Sequence, residues 1–172
     1  SAGLQPTVLK LVGEGHFERG YVERIRGLKP GWGFTAGRYF LNKAVLKMPM
    51  YVAYSDDSWW NTERYESAVS GKIPDEVILF MVVPSNYDPD MSPPGKQCLV
   101  AGTICPPDPE SGVVQALYGK MDEMMAKLYP EAWAAVEHKD YGGPAQVSSS
   151  TRDSVVPGAG GECVGLASMV GQ

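Results

Sequence analysis

The sequence predicts an α+β fold, a largely antiparallel sheet flanked by helices, and three observations carry that prediction. Two β-rich runs, EVILFMVVPS and KQCLVAGTICP, are joined by NYDPDMSPPG. In that connection Asp88-Pro89 and Pro93-Pro94-Gly95 supply turn chemistry, because proline fixes φ and glycine permits a positive one. The pair reads as an antiparallel hairpin with a long tip. The following run, SGVVQALYGKMDEMMAKLYP, places Val114, Leu117, Tyr118, Met121, Met124, Met125 and Leu128 on one helical face. Strand signals gather in the middle of the chain with helical signals before and after, the order of an α+β protein and not of alternating βαβ units.

Element by element, residues 6–29 read as two short helices. Pro6 suits a first helical turn, Val8, Leu9, Leu11 and Val12 give an apolar face, and Gly13 and Gly15 end the first helix. In the second, Tyr21, Val22, Ile25 and Leu28 recur at helical spacing, and Pro30-Gly31 stops it. Trp32 to Leu41 alternates apolar with small or polar residues and reads as a strand, as does Met50 to Tyr54. A helix carrying Trp59, Trp60 and Tyr65 is expected next, capped near Asp57 or Ser58. Lys72 to Glu76 is a loop, and the continuously apolar Val77 to Val83 reads as a strand buried on both faces. After the methionine-rich helix, Pro130 imposes a break, a short helix covers Ala132 to Val136, and the segment from Val136 to Arg152 returns as an irregular or edge strand.

The 172 residues suit one domain, and 44% hydrophobic with 20% charged residues supports a core. A net charge of −5 with no basic run argues against a nucleic-acid surface. Cys98, Cys105 and Cys163, with His16 and His138, show no metal-ligand spacing, so no metal is expected. An odd number of cysteines reads as free thiols in a reducing compartment, which places the protein in the cytoplasm. No window of about 18 apolar residues occurs, so no membrane-spanning segment is expected, and peripheral contact with a bilayer remains compatible with the sequence.

The glycine motifs fail as phosphate cradles. A dinucleotide fingerprint needs a strand, then G-x-G-x-x-G opening a helix. GEGHFERG follows a helix, and PGAGGECVGLAS has no returning strand after it. A Cys163 and His138 hydrolytic pair lacks any supporting elbow motif. Aromatic residues crowd between Trp32 and Tyr65 and eight methionines add adaptable surface, a composition suited to packing and equally to a cavity for a long apolar ligand.

Three segments carry a family resemblance. SAGLQPTVLKLVGEGHF resembles the passage that follows the nucleotide-binding half in phytoene desaturase-like flavin oxidoreductases. VVPSNYDPDMSPPGKQCLV resembles that family's hairpin, with a D-P turn and P-P-G-K leading into a strand. GGECVGLASMVGQ is similar to its G-G-x-x-x-G-L-x-x-x-x-x-Q segment through Gly160, Gly161, Gly165, Leu166 and Gln172. The group includes carotenoid desaturases, retinol saturases and amine oxidases. The resemblance implies that residues 1–172 are a single substrate-binding domain, a fragment lacking FAD-binding segments at both ends, acting in a longer enzyme on C–C bonds of an apolar substrate. It implies that Gly160, Gly161, Glu162 and Cys163 approach FAD, that the isolated chain binds FAD weakly or not at all and is inactive, and that its partner is the FAD-binding domain of the same polypeptide. Trp32, Phe34, Tyr39 and Met124 are the expected substrate contacts. The competing expectation is a free-standing, non-catalytic binding module for an apolar ligand or protein partner.

Overall fold

In the computed structural model, residues 4–28, 32–58 and 61–146 are described. Five strands form one antiparallel sheet in the order β2-β3-β4-β1-β5: β1 is Gly33–Leu41, β2 Met50–Ala53, β3 Leu79–Val82, β4 Gln97–Cys105 and β5 Val136–Gly142. The sheet is flanked by helices, so the fold is α+β. β3 and β4 are the expected hairpin, and its tip contains short turns at Pro84–Asn86 and Pro89–Met91. Gly95 in that tip has φ +79°, the conformation that favours glycine over a side chain.

The methionine-rich segment forms the longest helix, α4, Gly112–Leu128. It buries Val113, Val114, Leu117, Met121 and Met125. Leu128, on the expected apolar face, is exposed at the end of the helix. The main core gathers Tyr39 and Leu41 from β1, Leu79 and Met81 from β3, Leu99 and Ala101 from β4, and Met121 and Met125 from α4. A second cluster joins Val113, Val114 and Leu117 to Val77, Ile78 and Ala68, the last from α3, Thr62–Val69.

The amino-terminal residues form the two expected short helices. One α turn, α1, Leu4–Pro6, widens into a π-helix, Thr7–Gly13, and α2 follows at Arg19–Arg26. These helices bury Val8, Val22 and Ile25 in a small core of their own. Gln5 ties them together, its Nε2 donating to the carbonyls of Ile25 at 2.8 Å and Leu28 at 2.9 Å.

Three local expectations are corrected. The strand expected over Val77 to Val83 is Leu79–Val82, and it is buried on one face only, since Val82 is exposed. The cap of α3 is Asn61, whose Oδ1 accepts the Arg64 N–H at 2.9 Å. Asp57 and Ser58 instead lie in a 3₁₀ turn, where the Ser58 hydroxyl satisfies the Ser55 N–H and donates to its carbonyl. Both sites offer a short oxygen side chain, and the one that reaches a free N–H of the first turn, that of Arg64, is the true cap. The short helix after Pro130, α5, runs Pro130–Ala134, and Val136 already begins β5. Pairing of Val136 with Leu41 outcompetes another half-turn of helix.

Candidate functional site

Strand alternation assigns every residue of the sheet to one of two faces. Tyr39, Leu41, Met81, Leu99 and Ala101 meet α4 and are fully buried. On the other face Phe80 and Ile104 pack against the second core cluster, and the rest of the face is more open. This face presents Phe34, Phe40, Met50, Val52 and Val82, all exposed, together with half-buried Phe80, Cys98, Val100 and Ile104. Scattered apolar residues are ordinary on a protein surface; here five exposed ones fall on three strands of one sheet face, which makes this face the candidate site.

The register orders this face into rows. Asp140, Arg38, Val100, Val82 and Met50 stand side by side across all five strands. Next to them run Gly142, Ala36, Gly102, Phe80 and Val52. The second row is low where the first is polar, because Gly142 and Ala36 offer almost no side chain. At Gly102 the ring of Phe34 lies directly over the backbone, and a Cβ there would run into that ring and approach the Thr35 carbonyl to 2.8 Å. Phe34 in turn faces Phe80 with ring centroids 6.4 Å apart. Glycine is therefore required at 102 so that an aromatic ring can bridge strands β1 and β3.

The β5 end of the face is charged. Arg38 holds Asp140 in a two-pronged ion pair, Nε to Oδ1 at 2.6 Å and Nη2 to Oδ2 at 2.8 Å. The carboxylate beside it favours the charged guanidinium and raises its pKa further above the usual range. The His138 ring tilts against Phe40 at 5.6 Å.

The four substrate contacts expected from the sequence do not converge. Phe34 lies on the open face, half exposed. Tyr39 points the opposite way, fully buried over Gly37 in the main core, with its hydroxyl on Asp122 at 3.0 Å. Trp32 stacks on Tyr65 at 5.8 Å and packs against the second core cluster. Met124 packs between both clusters and also lines a groove of about 300 Å³ beside β2, with Val52, Ala53, Tyr54 and Leu128. Only Phe34 of the four belongs to the apolar face. Gly160, Gly161, Glu162 and Cys163 lie outside the described residues.

A polar cluster that the sequence did not reveal sits on the helix side. Asp122 of α4 accepts from Tyr39 and, at 2.6 Å, from Tyr141, and pairs with Lys139 at 2.5 Å. Lys139 also lies 4.8 Å from the Trp133 ring centroid, a cation–π contact, and Tyr141 stacks on Tyr118 at 4.4 Å. Burial first drives both phenol pKa values upward, followed by the Asp122 charge for Tyr39 and by the hydrogen bond to Asp122 for Tyr141. Its hydrogen bond to Asp122 raises Lys139. Each group is satisfied by another member, so the cluster fastens α4 to β1 and β5. Contributions from three distant elements leave no spacing signal in the chain. Among the described residues no group of three His, Cys, Asp or Glu side chains could hold a metal, and no helix is long and apolar enough to cross a membrane.

No protein-family model matches this chain, and no curated protein matches it in sequence. In fold it is similar to the crystal structure of the PF1083 protein from Pyrococcus furiosus, with a TM-score of 0.51 at 17% identity over 81% of this chain. The match spans 29% of that longer protein. At this identity the likeness speaks to fold alone, and it agrees with an antiparallel sheet flanked by helices.

Proposed function

We propose that the chain is the substrate-binding domain of a longer FAD-dependent oxidoreductase of the phytoene desaturase-like group, acting on C–C bonds of an apolar substrate. The observation that supports this reading is the set of exposed apolar side chains on one face of the sheet. A sheet that buries one side under α4 and leaves Phe34, Phe40, Met50, Val52 and Val82 exposed on the other is built to be covered by something else. In this reading the covering layers are the substrate and the FAD-binding domain of the same polypeptide.

The described residues do not themselves fit a flavin. A pyrophosphate cradle needs a strand feeding a glycine turn that opens a helix within a parallel βαβ unit, and every strand pair here is antiparallel. The cofactor would be held by other segments, with Gly160 to Cys163 contributing from outside the described residues. This domain's part is to bind and orient the apolar substrate and to exclude water from it, while the flavin supplies the redox chemistry.

The reading is tested by purifying the polypeptide encoded by the whole source gene and recording its absorption spectrum. The expected result is a bound-flavin spectrum, and lower turnover after Gly160→Val with Gly161→Val. A colourless protein that takes up no FAD overturns the enzyme reading. The antiparallel sheet without a cofactor cradle would then favour the free-standing, non-catalytic module for an apolar ligand or protein partner. Peripheral contact with a membrane belongs to the same proposal, since an apolar substrate is drawn from a bilayer; retention of the protein on lipid vesicles in a flotation assay is the expected result.

A further inference from the structure

The open face is polarised along a single row of cross-strand neighbours. From β5 to β2 that row reads Asp140, Arg38, Val100, Val82, Met50. Its polar end carries a charged pair, and the next three strands carry only aliphatic or thioether side chains. Three interstrand spacings of about 4.8 Å make the distance from Arg38 to Met50 about 14 Å. The adjoining row is floored by Gly142 and Ala36 at the same polar end and rises to Phe80 and Val52 at the apolar end. A Cβ added to Gly142 would meet no atom within 4 Å, so the floor there is open space.

The polar end has more unused donors than unused acceptors, and its arginine is the more exposed partner. Each carboxylate oxygen of Asp140 already accepts one bond from Arg38, from Nε and Nη2. The Nη1 of Arg38 donates to no described residue, and its side chain is 63% exposed. A fixed guanidinium of this kind is well suited to an oxygen anion. We infer that this face binds an amphiphile with a carboxylate head, the head on Arg38 and the apolar chain lying over Val100 and Val82 toward Met50. The inference rests on reading the face as a ligand wall, but it needs no flavin.

The experiment is calorimetric titration of the chain with dodecanoate and with dodecanol, each below its micellar concentration. A charge-assisted hydrogen bond on an exposed arginine predicts that dodecanoate binds about tenfold more tightly. Arg38→Gln should abolish that preference, because it removes the positive charge and leaves the Asp140 carboxylate unneutralised beside the head. Val82→Glu, at the apolar end, should weaken both ligands. Equal affinity for the two ligands, a preference that survives Arg38→Gln, or no binding of either overturns the inference. Arg38 and Val82 are both exposed, so unchanged far-ultraviolet circular dichroism should accompany each variant and separate lost binding from lost folding. A colourless whole-gene polypeptide whose sheet domain still prefers dodecanoate would overturn the flavin reading alone. A flavin-containing one with no preference would overturn this inference alone.

Discussion

The two faces of the sheet are built from similar residues and meet different fates. On the helix side, Leu41, Met81 and Leu99 are fully buried; on the other, Phe40 and Val82 remain exposed on β1 and β3, as does Met50 on β2. Apolar character in a strand therefore states only that a side chain is to be covered. What covers it is decided by where α4 lands, and α4 covers one face. The difference teaches that burial, and with it the larger share of stability, belongs to the helix side, while the open face stays accessible for the contact proposed above.

The largest contrast is expected from truncation. Met121→Ala removes a fully buried side chain beneath the sheet and should cost about 2–5 kcal/mol, measured as a fall in the urea midpoint. If the variant loses less than the open-face substitutions considered below, the assignment of stability to the helix side is wrong.

The next effect concerns the Asp122 fastening. Asp122→Ala leaves the Tyr39 hydroxyl, inside the core, without its acceptor and should cost about 1–3 kcal/mol. The same cluster sets an alkaline limit. Tyr39 and Tyr141 hold their protons more tightly folded than unfolded, so their contribution is complete below the ordinary phenol pKa of about 10 and is lost as pH rises through the folded values. Unfolding midpoints should therefore fall above about pH 10, and Tyr39→Phe should make that fall shallower. An identical alkaline profile in the variant would remove Tyr39 from the explanation.

Gly102→Ala probes the open face where it is most crowded. The new Cβ meets the Phe34 ring and a backbone carbonyl in β1, and overpacking of that kind costs about 1–3 kcal/mol. Combining it with Phe34→Ala should recover part of the loss, since the ring is one of the two obstacles. A double variant no more stable than Gly102→Ala alone would show that the carbonyl contact dominates.

Much of this architecture was legible in the chain. The β3–β4 hairpin announced itself through Asp88-Pro89 and Pro93-Pro94-Gly95, and α4 through its spaced methionines, because both signals are local. The α3 cap at Asn61 was missed since Asp57 and Ser58 offer the same chemistry a few residues earlier, and only backbone geometry separates them. Tyr39 and Phe34 both read as aromatic strand residues, yet five positions apart they fall on opposite faces, with Tyr39 drawn inward by Asp122 of a helix more than eighty residues away. The charged end of the open face was equally hidden, because Arg38 and Asp140 meet only through the pairing of β1 with β5.

The smallest expected change is the sharpest test of the comparison. Val82→Thr keeps the β-branched shape on β3 and changes one methyl to a hydroxyl at a site already 38% exposed. Water can satisfy that hydroxyl, so stability should move by no more than about 0.5 kcal/mol. Binding should respond where stability does not, since the hydroxyl interrupts the apolar row between Val100 and Met50. Titration with the apolar dye ANS should therefore show weaker binding at an unchanged urea midpoint. A large loss of stability would mean that Val82 is packed as tightly as Met81 beside it, and the two faces would then not differ in the way their exposure implies.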